Sequence, residues 1–161
     1  MRISKEIFPR PVALVATVNK DGKANVATFS FIMPISFEPK FVAFAVAPQR
    51  YTFENLKEVG EFSLNILKKE QLEIANVCGS YSGRDKDKFE LAKLTKEEGE
   101  RISAPLIKEA PISLECRVVF MEKFGDHYLV VGEVLREVVR EEKFDPLLHY
   151  SGDEFFTWKR L

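Results

Sequence analysis

Two hydroxyls, Thr28 and Ser30, stand two residues apart in "NVATFSF". On a strand that spacing puts both on one face, and hydroxyls on an inward face need partners from the protein or from a ligand. Further along, Arg50 and Thr52 open a helical pattern, "YTFENLKEVG". Thr52 is the expected N-cap, Glu54 falls in the first turn, and Gly60 ends the helix. A helix N-terminus offers unpaired N–H groups. With Thr52 Oγ1 and the Arg50 guanidinium these would make an anion site. "SGRDKDKF" adds Arg84, Lys86 and Lys88 on a glycine-bearing loop, a pattern that a solvated charge run also gives. The tail holds Tyr150, Phe155, Phe156 and Trp158, which suit stacking on a planar ligand as well as core packing or a dimer interface. Together these groups fit a phosphate-bearing aromatic ligand.

Other chemistries find less support. There is no GxSxG, HExxH or GxGxxG pattern. His127 and His149 lack a second pair of ligands, so no metal site is expected, and His127 reads as a hydrogen-bonded residue at a strand start. Cys78 and Cys116 form no CxxC pair and read as buried small hydrophobes. The net charge of −1 supplies no basic excess for nucleic acid. No apolar run approaches the roughly 20 residues of a membrane helix. The opening "MRISKEIFPRP" has no apolar signal region, so a soluble, cytoplasmic protein is expected.

The elements that must hold these groups are mostly strands. At 161 residues, one domain over 1–161 is the simplest division. "VALVATVN" and "ANVATFSF" are strands joined through Asp21-Gly22, a hairpin signal. Pro34 is expected to end ladder pairing in the segment that follows. "KFVAFAVA" and "EFSLNIL" are further strands on either side of the helix, and "KEQLEIANVCG" is a second helix. The charged stretch from Ser80 to Ser103 reads as a long loop with short helical turns. "PISLECRVVFMEKF" and "HYLVVGEVLREVVRE" are long strands joined by Gly125-Asp126, and a turn at Ser151-Gly152 precedes a short aromatic segment. Hairpin-linked strands with a few inserted helices predict a mainly β, antiparallel barrel.

The order of four blocks adds a resemblance. "PRPVALVATVNKDGKANVATFSFIMPISFEPKFVAFAV", "YTFENLKEVGEFSLNIL", "SGRDKDKF" and "GDHYLVVGEV" together resemble the flavin reductase-like family, FMN-binding split-barrel proteins that include flavoredoxins. The resemblance covers nearly the whole chain. It implies a split β-barrel, Greek-key-like, with tightly bound FMN. It places Asn25, Ala27, Thr28, Phe29, Ser30 and Phe31 along the ribityl chain and ring, and Arg50, Thr52 and Asn55 at the phosphate. Arg84 and Lys88 would add charge there, His127 would lie near the cofactor, and Phe156 or Phe155 would be the C-terminal aromatic. The implied activity is electron transfer from NADH or NADPH through FMN to free flavin, a ferric chelate or another protein. No side chain need act as acid or base. The alternative is a flavoredoxin-like carrier with no nicotinamide activity of its own. The family also implies a homodimer with FMN at or near the subunit interface.

Overall fold

Every residue of strand β2 (Ala13–Val18) is buried, which is why this run is continuously apolar instead of alternating. It lies between β3 (Ala24–Phe29) and β6 (Glu61–Ile66) and fills a core on each of its faces. The computed structural model describes residues 1–159 and 161. The β2–β3 turn is built on Asn19, whose Oδ1 accepts from the Asp21 and Lys23 amides at 3.0 and 2.8 Å. Gly22 supplies the left-handed backbone there, at φ 81°.

Seven strands form one antiparallel sheet in the order β3-β2-β6-β9-β10-β5-β4. The remaining members are β4 (Ile32–Phe37), β5 (Lys40–Val46), β9 (Ile112–Phe124) and β10 (His127–Val139). β3 and β4 occupy opposite edges, yet only Ser30 and Phe31 separate them in the chain. Two residues can connect the two edges only if the sheet coils round on itself. The edges meet without pairing, so the architecture is a split barrel, as expected. At this seam the Phe31 carbonyl accepts from the Ala45 amide at 3.0 Å.

Inside the coil, Phe44, Phe62, Val15, Leu64 and Val130 pack with Phe53 and Leu56 of helix α1 (Tyr51–Val59). The second core lies on the other face of β2. There Val12, Leu14 and Ala16 meet Ala75 and Cys78 of α2 (Leu72–Ser80) and Phe89 of α3 (Lys88–Leu91). The stretch expected as a loop with short helical turns holds the one-turn α3, as expected, and also a strand β7 (Lys96–Glu97), paired with β8 (Leu106–Ile107). A separate small sheet orders β1 (Arg10–Pro11), β11 (Leu148–Ser151) and β12 (Glu154–Phe156), docking the tail. One buried carboxylate, paired with a partly exposed arginine, ties a loop to the barrel. Glu115 accepts from the Arg101 amide at 2.6 Å, the Glu100 amide at 3.2 Å and Arg136 Nη1 at 2.7 Å.

Two expectations need correction. Pro34 does not end the ladder: it lies inside β4, opposite Val42 of β5, and the register slips only between Pro34 and Ser36. β4 is an edge strand, where a residue lacking an N–H is tolerated on the outer side. Thr52 is not the N-cap of α1. Arg50 holds that position in extended conformation with no side-chain capping bond, and Thr52 is the second helical residue.

Candidate functional site

The start of α1 is fixed by its own backbone and by β3. The Phe53 amide donates to the Arg50 carbonyl at 3.0 Å, closing the first turn. Thr52, buried, accepts from Asn25 Nδ2 of β3 at 3.2 Å. One turn on, Asn55 Nδ2 donates to Thr17 Oγ1 of β2 at 3.0 Å. The helix N-terminus is thus pinned to two strands by side-chain amides, and its first residues border a cavity of about 370 Å³. Asn25, Ala27, Arg50, Thr52, Arg84 and Lys88 line it, with Ser82 and Gly83.

The charge in this cavity is largely uncompensated. Lys88 is buried, and its Nζ donates to the Cys78 carbonyl at 3.2 Å. Among the described residues no carboxylate pairs with Lys88 or with Arg50. Burial, with a smaller push from the Arg50 charge and against an opposing pull from Cys78, brings the Lys88 ammonium down to about 8. Burial likewise pushes the Cys78 thiol up to about 11, which makes it a poor nucleophile. Arg84 differs: it pairs with Glu54, donates to the Gln49 carbonyl at 3.2 Å and stacks 5.3 Å from the Tyr51 ring centre. Gly83 comes so close to Asn25 that a Cβ there would lie 1.9 Å from Asn25 Oδ1. That oxygen is buried and has no hydrogen-bond partner among the described residues. Two cations without carboxylate partners and the helix N–H groups are a donor set for an anion, and the unmatched Asn25 oxygen is an acceptor suited to a hydroxyl. The residues present therefore fit the phosphate and sugar-alcohol end of FMN.

A second cavity of about 220 Å³ adjoins the first, since Arg50 and Ser80 line both. Thr28, Phe29 and Ser30 form one wall, with His149 and Phe155 from the tail opposite. The Thr28 hydroxyl is already committed: it donates to the Ala75 carbonyl at 2.7 Å and pins α2 to β3. Phe29 packs edge-on against Phe44, with centroids 5.1 Å apart. Beyond the seam, Phe31 lines an apolar slot with Ile32, Met33 and Leu129. His127 packs on Phe31 at 5.8 Å, and its Nδ1 lies 2.7 Å from Asp126 Oδ1.

The flavin reductase like domain model matches residues 4–159. The chain belongs to the flavin reductase-like family. Flavoredoxin from Methanosarcina acetivorans superposes with a TM-score of 0.88 at 30% identity, over 100% of this chain and 92% of that one. Nitrilotriacetate monooxygenase component B from Bacillus cereus gives a TM-score of 0.88 at 27% identity, covering 99% and 89%. A flavin reductase of Pseudomonas putida is 29% identical over 146 residues, 90% of this chain and 81% of its own length.

Within this flavin reductase-like fold the sequence-derived residues separate into groups. Asn25, Ala27, Arg50, Thr52, Arg84 and Lys88 share the cationic cavity, and Thr28, Phe29 and Ser30 share the next. Phe31 lines the apolar slot, and His127 packs on the Phe31 ring without lining it. Asn55 sits behind the helix as a support. Of the tail aromatics, Phe155 reaches the second cavity, whereas Phe156 does not line it, because alternate residues of β12 face opposite ways. Gly83 and His149 were not anticipated as site residues. A glycine between Ser82 and Arg84 was the only hint of the first; His149 is carried in by strand pairing, which no local pattern reports.

Proposed function

We propose that this flavin reductase-like chain binds FMN and uses it to pass electrons from NADH or NADPH to free flavin, a ferric chelate or another acceptor protein. The observation that carries the reading is the pair of cations without carboxylate partners, Arg50 and Lys88, converging with the first N–H groups of α1 beside the unmatched Asn25 Oδ1. A phosphate monoester carries roughly two charges near neutral pH; the buried Lys88 ammonium holds it far better than an exposed one would, and the exposed Arg50 guanidinium adds a second charge. FMN, when bound, supplies the hydride and electron chemistry, which fits a site without an acid–base pair. The chain's part is to grip the phosphate at α1, align the ribityl chain along β3 and present the ring between Thr28–Ser30 and the tail. β4 leaves Met33, Ile35 and Phe37 exposed, an apolar strip that suits a homodimer with FMN at or near its interface.

The test is reconstitution with FMN followed by anaerobic titration with NADH and with NADPH, read by absorbance. Stoichiometric FMN uptake and bleaching by either nucleotide support the reading. Failure to take up FMN defeats it. The likeness to a flavoredoxin favours one alternative, an FMN electron carrier with no nicotinamide activity of its own. FMN uptake without rapid bleaching would select that alternative.

A further inference from the structure

We infer that His149 is a positioning residue: it makes the Ser30 hydroxyl an acceptor-only contact for the redox edge of the flavin ring. The inference rests on the FMN reading above.

His149 Nε2 lies 2.9 Å from the Gly152 carbonyl oxygen. A carbonyl only accepts, so Nε2 carries a hydrogen. Nδ1 meets two groups, Ser30 Oγ at 2.7 Å and Arg10 Nη2 at 3.4 Å. A guanidinium only donates, so it meets a lone pair on Nδ1. The neutral ring protonated at Nε2 suits all three neighbours: Gly152 accepts from Nε2, Ser30 takes the single Nδ1 lone pair at 2.7 Å, and Arg10 shares it weakly from 3.4 Å. Ser30 must then donate its single proton to Nδ1. What its oxygen keeps for the cavity is lone pairs alone.

The arrangement is rigid. Phe155 stacks on the His149 ring at 4.8 Å and 31°. Arg10 is buried, and carbonyls of Ser4, Ile7 and Tyr150 hold its guanidinium. Arg50 and Asp153 are the charged residues that line the same cavity. Without His149 the Ser30 hydroxyl would rotate freely and donate or accept as its ligand required.

An acceptor-only oxygen selects for a ligand atom that bears hydrogen. The N5 position of a flavin is a bare acceptor when oxidised and an N–H donor when reduced. Ser30 facing that edge holds the reduced form more tightly than the oxidised one and so raises the reduction potential.

The test is the reduction potential of the FMN-loaded protein, measured against a reference dye, together with FMN affinity. Ser30→Ala and His149→Phe each lower the ratio of reduced-form to oxidised-form affinity about tenfold, equivalent to about 30 mV for a two-electron couple. His149→Asn, whose side-chain oxygen can replace the Nδ1 lone pair, keeps the wild-type potential. If the Phe variant does not fold, the other two still decide the matter. Unchanged potential in Ser30→Ala, or a lowered one in His149→Asn, overturns the inference while leaving FMN binding intact. A wild-type chain that takes up no FMN overturns both readings, and is told apart by the absence of any flavin spectrum.

Discussion

The Lys88 ammonium lies inside the protein, 3.2 Å from the Cys78 carbonyl oxygen. No carboxylate accompanies it among the described residues, so its charge is held ready for a ligand instead of being spent on the fold. With the group lowered to about 8, FMN affinity should fall as pH rises through that value. Lys88→Met removes both the charge and this pH dependence, with an affinity loss of about 10- to 100-fold. The sign for stability is opposite to that for binding. Between about 8 and the ordinary lysine value of 10.5 the unfolded chain binds more protons than the folded one, so stability of the unliganded protein rises with pH across that window. Flavin-fluorescence titrations and thermal melts from pH 7 to 10 measure the two trends.

Arg50 and Arg84 line the same cavity but should not contribute equally. Arg84 is paired with Glu54 and stacked on Tyr51, whereas Arg50 has no carboxylate partner among the described residues. Arg50→Ala should weaken FMN binding about tenfold or more, and Arg84→Ala by less than about threefold. Equal losses in a side-by-side titration would contradict this ranking.

Gly83→Ala tests the cradle itself. The new methyl would meet Asn25 Oδ1 at 1.9 Å, and Asn25 can yield only by leaving Thr52. The expected cost is about 1–3 kcal/mol in stability, with an FMN affinity loss of about tenfold. A Gly83→Ala, Asn25→Ala double variant no less stable than Asn25→Ala alone would locate the clash.

These contacts show how far the sequence could be read. The hairpins at Asp21-Gly22 and Gly125-Asp126, the helix ended by Gly60 and the long strands β9 and β10 were legible, because turn chemistry and periodicity are local. The residue types of Thr28, Arg50, Thr52 and Lys88 suggested a phosphate-bearing ligand, but their placement along two adjoining cavities was not legible, since the four lie on separate segments. Pro34 was misread because nothing in "FIMPISF" says that its strand is an edge. The N-cap was misplaced because Thr52 is the better capping residue, but its hydroxyl bonds Asn25 instead of a helix amide. His149 stayed invisible as a site residue because its role depends on Ser30, far away in the chain.

Glu115 and Arg136 make a separate prediction about stability. Burial works against the Glu115 charge, but the Arg101 amide, the Arg136 guanidinium and the Glu100 amide outweigh it and hold the carboxyl below its usual range. The contribution is present above the ordinary carboxylate value and is lost as pH falls through the lower folded value. Arg136→Met leaves the buried carboxylate without its cation and should cost about 3–5 kcal/mol. Urea melts at pH 7 and pH 4 check both the cost and its narrowing in acid.

The seam between β3 and β4 has a further consequence. Backbone pairing never closes the barrel, so whatever lies along Ser30 and Phe31 works as a removable stave between two edges. A ligand seated there bridges segments far apart round the sheet and adds its binding free energy to the cohesion of the whole barrel. At a hundred times its dissociation constant such a stave adds about 2.7 kcal/mol.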